Sequence, residues 1–121
     1  MIFDKNQKYF VEKDSIEATL KTIIKLLSEY SYPCQADYME KVLKTVVNNN
    51  KPEFESISNT KDIWGGSGAV WEVYIKDRDK EVEFQRAMIK FIGLLNDNGI
   101  RNYGIRSIKV LFEKEVKKKL I

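Results

Sequence analysis

Apolar residues return every three or four positions along most of this chain, a spacing that predicts helices. In "DSIEATLKTIIKLLSEYS", Ile16, Leu20, Ile23, Leu27 and Tyr30 fall on one helical face. Ile24 and Leu26 widen that stripe, so the helix should meet more than one neighbour. Asp14 followed by Glu17 is a variant of the capping box and predicts helix entry at residue 14 or 15.

Tyr32–Pro33 interrupts the pattern, because the residue before a proline is pushed out of helical geometry while the proline suits the first turn of a new helix. Val42, Leu43 and Val46, with Tyr38 or Met39, then restore the helical spacing up to Asn48, Asn49 and Asn50. The short connection predicts an antiparallel pair. "KPEFESISNT" reads as a short third helix opened by Pro52. "RDKEVEFQRAMIKFIGLLNDNG" reads as a second long one near residues 79–98, with Phe84, Ala87, Met88, Phe91, Ile92 and Leu95 inward, Asp77 and Asp79 as caps, and Gly99 as its stop. Gly93, inside that helix, costs about 1 kcal/mol against alanine and is expected to mark a close helix crossing.

Two stretches carry both periods. "AVWEVYI" alternates with Trp71, Val73 and Ile75 on one side and Glu72 and Tyr74 on the other, and "IRSIKVLF" alternates at Ile108, Val110 and Phe112. The final segment also fits a helix through Ile108, Leu111, Phe112 and Val116, which the helix-forming "EKEVKKKL" extends. The expected fold is therefore an all-α, mainly helical bundle of about five helices in one domain over residues 1–121. The alternative is α+β, with a small hairpin from residues 68–75 and 105–112.

Composition narrows the chemistry. The chain has 121 residues, enough for a core without metal or disulfide support, and a net charge of +3 from 21 basic and 18 acidic residues. Much of the excess sits in Lys114, Lys117, Lys118 and Lys119, which suit the negative end of a helix dipole. Cys34 is the only cysteine and histidine is absent, so no intrachain disulfide, Cys–His pair or histidine metal site is possible. The N-terminus "MIFDKNQKYF" lacks the apolar run of a secretory signal and no stretch approaches a membrane span, which points to a cytoplasmic protein without membrane partners.

"DIWGGSGAVWEVYI" is the segment closest to a motif. It lacks the lysine and hydroxyl residue of a phosphate-binding loop, the G-x-G-x-x-G spacing of a dinucleotide site, and the last glycine of a nucleophile elbow, where Ala69 stands. Without histidine, Ser67 has no ordinary base. The structural reading is an elbow made by Trp64, Gly65, Gly66, Ser67 and Gly68. Gly65 and Gly66 are expected at positive φ, Ser67 as the cap of a helix beginning at 68 or 69, and Trp64 folded back as a staple. On that reading Gly66→Val should cost about 1–3 kcal/mol.

Trp64, Gly65, Gly66, Gly68, Ala69, Val70, Trp71 and Glu72 give the chain a further identity. The segment resembles a W-G-G-x-G-A/S-Φ-W/N-D/E signature (Φ apolar) of small, helix-rich, single-domain bacterial proteins. Some of these resemble immunity proteins of polymorphic-toxin and contact-dependent growth inhibition systems. The resemblance supplies no catalytic residues. It implies a non-enzymatic protein that binds and neutralises a cognate toxin domain, with no cofactor and no metal, as a monomer or weak dimer.

The candidate partner-binding residues are Glu53, Glu55, Asp62, Trp71, Glu72 and Tyr74. Either the toxin surface is not basic, or Glu53, Glu55, Asp62 and Glu72 supply a local acidic patch complementary to a basic one, and the aromatics would anchor the contact. The alternative function is a nucleic-acid-associated helical module using the basic C-terminal segment with Arg101 and Arg106, whose binding would weaken steeply with salt.

Overall fold

The computed structural model describes residues 9–120, so the first eight residues, which hold most of the stretch read above for a signal, lie outside it. Among the described residues the fold is all-α: α1 (Lys13–Glu29), α2 (Pro33–Val47), α3 (Lys51–Ser58), the one-turn α4 (Lys61–Trp64), α5 (Arg78–Asp97) and α6 (Tyr103–Lys119). Among the described residues a single 3-10 turn lies at Val70–Glu72, and there is no strand. The hairpin alternative fails on both segments. Residues 105–112 belong to α6, and residues 68–75 are a turn, the 3-10 turn and unpaired extended chain. The alternation in "AVWEVYI" is real but serves one-sided burial: Val73 and Ile75 are buried while Glu72 and Tyr74 are exposed.

α1 packs along α2 and α5, and α5 along α6. The connection at residues 30–32 is short, as an antiparallel α1–α2 hairpin requires. One contiguous core draws on every helix, with Ile16, Leu20, Ile23 and Leu27 from α1, Met39 and Val42 from α2, Phe54 from α3, Ile63 from α4, Phe84 and Phe91 from α5, and Phe112 from α6.

Several helix ends follow the local chemistry, though α2 and α4 start without a side-chain cap, behind Tyr32 and Thr60, and α1 departs from its expected cap. Asp77 accepts a hydrogen bond from the Lys80 N–H at 3.0 Å, and the Asn50 side chain one from Glu53 N–H at 3.2 Å. Asn49 (φ 58°) and Gly99 (φ 84°) take the left-handed conformation past the ends of α2 and α5. Helix α1 begins at Lys13 behind Glu12 at φ 54°, with no side-chain cap, so Asp14 lies in the first turn instead of capping it.

Buried Asn98 ties the N-terminal segment to the end of α5. Its side chain accepts from Val11 N–H at 2.8 Å and donates to the carbonyls of Val11 at 3.1 Å and Leu94 at 2.8 Å. The segment also covers Lys51, fully buried, whose ammonium donates to Tyr9 O at 3.3 Å and lies 5.6 Å from the Phe10 ring centre. Burial pulls the Lys51 pKa down, with the nearby Glu55 charge opposing it.

Gly93 contradicts its expected role. A side chain added there would meet nothing within 4 Å, so no helix crosses closely at this point.

Candidate functional site

Residues 65–77 join α4 to α5 and form a strap held down mainly by side chains, since little regular backbone pairing is available to it. α2 supplies the anchors. Tyr32, Gln35 and Tyr38, spaced by three, project from the start of α2. The Tyr32 hydroxyl donates to Tyr74 O at 2.6 Å and the Gln35 amide to Gly68 O at 3.0 Å. The Tyr38 hydroxyl holds the α3–α4 junction just before the strap instead, donating to Ile57 O at 2.6 Å and lying 2.7 Å from the Thr60 hydroxyl. At the far end Ile75 N–H donates to a carboxylate oxygen of buried Glu81 at 3.0 Å. Val70, Val73 and Ile75 fix the strap from below by burial.

The tryptophans complete it from the inside. Trp64 stacks on Phe91 with ring centres 6.2 Å apart, and its indole N–H donates to Ser58 O at 2.8 Å. Trp71 meets Phe112 edge-on at 6.4 Å, and its indole N–H donates to Gly65 O at 2.6 Å. Both are half-buried. Trp71, expected above as a partner contact, is thus largely engaged inside the chain, closing residues 65–71 into a loop.

The glycines divide the work differently from the sequence reading. Gly65 has φ −84°, which any residue adopts, but a Cβ there would lie 2.6 Å from Lys61 O. Crowding therefore requires glycine at Gly65, and positive φ requires it at Gly68, where φ is 87°. Gly66 is neither at positive φ nor crowded. Ser67 caps no helix: Ala69 N–H donates to Gly66 O at 3.0 Å, and the 3-10 turn starts behind extended Ala69 without a side-chain cap.

The remaining candidate residues separate into groups. Glu53 and Asp62 are exposed, and both charges act on the Tyr38 hydroxyl, whose pKa burial raises first and these acids raise further. Glu55 faces the Lys51 ammonium, 4.0 Å away. Glu72 is exposed at the end of the 3-10 turn, two residues before Tyr74, which is 64% exposed. Glu53 and Asp62 therefore share a side with Tyr38, Glu72 and Tyr74 crown the strap, and Glu55 serves the Lys51 burial.

Read from sequence, Tyr32 is the residue before Pro33, Tyr38 an apolar helix position, and Gln35 carries no role. Their i, i+3, i+6 spacing was the available signal. In the C-terminal segment, Lys118 and Lys119 both approach Glu115, at 4.0 and 3.6 Å, and Lys119 also donates to Gln85 at 3.1 Å. Among the described residues no group of three or more Cys, Asp or Glu is placed to hold a metal ion, and no helix is long and apolar enough to cross a membrane. No family model, curated protein or solved structure matches the chain.

Proposed function

We propose that this chain is a non-enzymatic binding protein that docks a partner protein on its strap and thereby neutralises a bacterial toxin domain. The observation carrying the docking face is Tyr74. Its carbonyl is pinned by Tyr32, its neighbours Val73 and Ile75 are buried, and its ring stands in solvent. An aromatic held this way loses little conformational freedom on binding, which favours an interface anchor. Glu72 gives the same crown a negative charge, which suits a basic partner surface and would speed encounter more than it tightens the complex. The toxin reading rests on the W-G-G-x-G signature. Trp64, Gly65, Gly68 and Trp71 of that signature build the strap, which supports a shared scaffold for a displayed loop.

The test is affinity capture of the tagged chain from its host, identification of the bound protein by mass spectrometry, and co-expression to measure rescue of growth. A toxin domain whose binding weakens about 30-fold in Tyr74→Ala, the 2 kcal/mol of a hot spot, with an unchanged melting temperature, is the expected result. Full affinity and full rescue in both Tyr74→Ala and Glu72→Lys would remove the strap from the interface.

A further inference from the structure

The C-terminal half of α5, the turn after it and the first turns of α6 enclose a cleft of about 400 Å³, on the scale of small-molecule sites. It is separate from the strap's exposed crown. Ile92, Ile100 and Ile105, almost wholly buried, back its floor, while Arg101, Arg106 and Lys109 bring three positive charges against the single negative charge of Asp97. Neither Arg101 nor Arg106 has a carboxylate within 4.0 Å among the described residues. Arg101 is oriented by donating from Nε to Asn96 at 3.0 Å, and Lys109 has only a loose surface pairing with Glu113 at 3.9 Å.

Gly93 lines the same cleft. A glycine in mid-helix weakens the helix, and here no crossing neighbour explains it, since the space over its Cα is open. Any larger side chain would project into that space. The glycine is accounted for if the opening itself is what the sequence keeps.

We propose that this cleft binds a phosphate monoester bearing a ring, of nucleoside monophosphate size. The surplus of two positive charges matches a phosphate dianion better than a single carboxylate. Arginine forks suit phosphate oxygens, and the open space over Gly93 leaves room for the ring. The phosphate ester could come from a free nucleotide or from the 5′ end of a nucleic-acid strand.

Calorimetric titration of the full chain with AMP, inorganic phosphate and adenosine tests this. AMP should bind at least tenfold more tightly than either fragment. Arg106→Glu, which inverts a charge, and Gly93→Leu, which fills the cleft without changing charge, should each weaken AMP at least tenfold. Lys117→Glu makes the same charge change about 16 Å further along α6 and should leave binding within twofold. Circular dichroism melts verify folding, and Arg101→Glu replaces either cleft variant that fails to fold. Displacement of AMP by a 5′-phosphorylated oligonucleotide but not by its 5′-hydroxyl form assigns the source to a strand end, and no displacement assigns it to the free nucleotide. The proposal is overturned if AMP does not bind at millimolar concentration, or binds no better than inorganic phosphate. It is equally overturned if Arg106→Glu acts no more strongly than Lys117→Glu, or if Gly93→Leu leaves AMP affinity intact.

Discussion

Three glycines in four positions offer a direct test of how the strap is built. Alanine at Gly65 would place Cβ 2.6 Å from Lys61 O and 2.9 Å from Lys61 Cβ. The oxygen is backbone, and it already accepts Gly65 N–H at 2.8 Å at the end of α4. Relief therefore has to come from moving the strap. Overpacking of this kind costs about 1–3 kcal/mol. Moving Gly65 also loosens the Trp71 indole bond to its carbonyl, worth roughly 0.5–1.5 kcal/mol net. A loss of about 2 kcal/mol follows, since the strain and the bond are alternative ways of paying for one displacement.

At Gly68 the cost has a different origin. An L-residue at φ 87° loses about 1–2 kcal/mol, and alanine recovers roughly 0.4–1 kcal/mol by stiffening the unfolded chain, leaving a net loss of about 1 kcal/mol. Gly66→Ala meets neither obstacle and should stay within about 0.5 kcal/mol of the parent or gain slightly. At roughly 3–6 °C per kcal/mol for a chain of this size, thermal melts should order the parent and Gly66→Ala together, then Gly68→Ala, then Gly65→Ala lowest. A Gly66→Ala or Gly66→Val protein melting well below Gly65→Ala would refute the assignment and restore the glycine-pair elbow.

Two further substitutions probe the buried charges. Lys51→Met keeps the packing under Phe10 while removing a desolvated ammonium, so denaturant unfolding at neutral pH should show stability equal to the parent or about 1 kcal/mol higher; a loss beyond about 2 kcal/mol would show that the Tyr9 and Glu55 contacts outweigh desolvation. Glu81 has its pKa raised, first by burial, with the Ile75 N–H and the Lys119 charge opposing. Because the folded value lies above the ordinary 4.5, this group favours folding fully below 4.5 and loses that contribution as pH rises through its folded pKa. Glu81→Gln retains an oxygen for Ile75, so its stability advantage over the parent should be largest at pH 7 and shrink on acidification toward 4.5; an advantage that grows on acidification would reverse the sign of the argument.

The helices were legible because their apolar faces repeat at the helical period and their ends carry local chemistry: Pro33 at the start of α2, Asp77 before α5, Gly99 after it. The strap was less legible, for a physical reason. Its conformation is set by side chains distant in sequence, Tyr32 on Tyr74 and Gln35 on Gly68, and no local period encodes such a bond. The roles of the glycines went astray likewise. Glycine freedom in φ is a local property that sequence suggests, whereas the crowding at Gly65 exists only once α4 has formed one turn and turned Lys61 O toward it. Gly93 was recognised as costly, but the absence of a crossing helix could be known only from the fold.

The anchoring of the strap bears on how a helical bundle would present a recognition surface. A polypeptide outside regular structure leaves many backbone groups to be satisfied by other means, and ordering it on binding would cost roughly 1–2 kcal/mol per residue. Here much of that ordering accompanies folding. Tyr32 and Gln35 take two strap carbonyls, Glu81 takes an N–H, and Trp71 closes the first half from within. The alternation of buried Val73 and Ile75 with exposed Glu72 and Tyr74 then sends the core residues down and the displayed ones up. Such a strap can present an aromatic and a carboxylate without first losing entropy to arrange them. The same construction makes Trp71 and Tyr74, three residues apart, respond oppositely to truncation: the first should be read out in stability and the second in affinity.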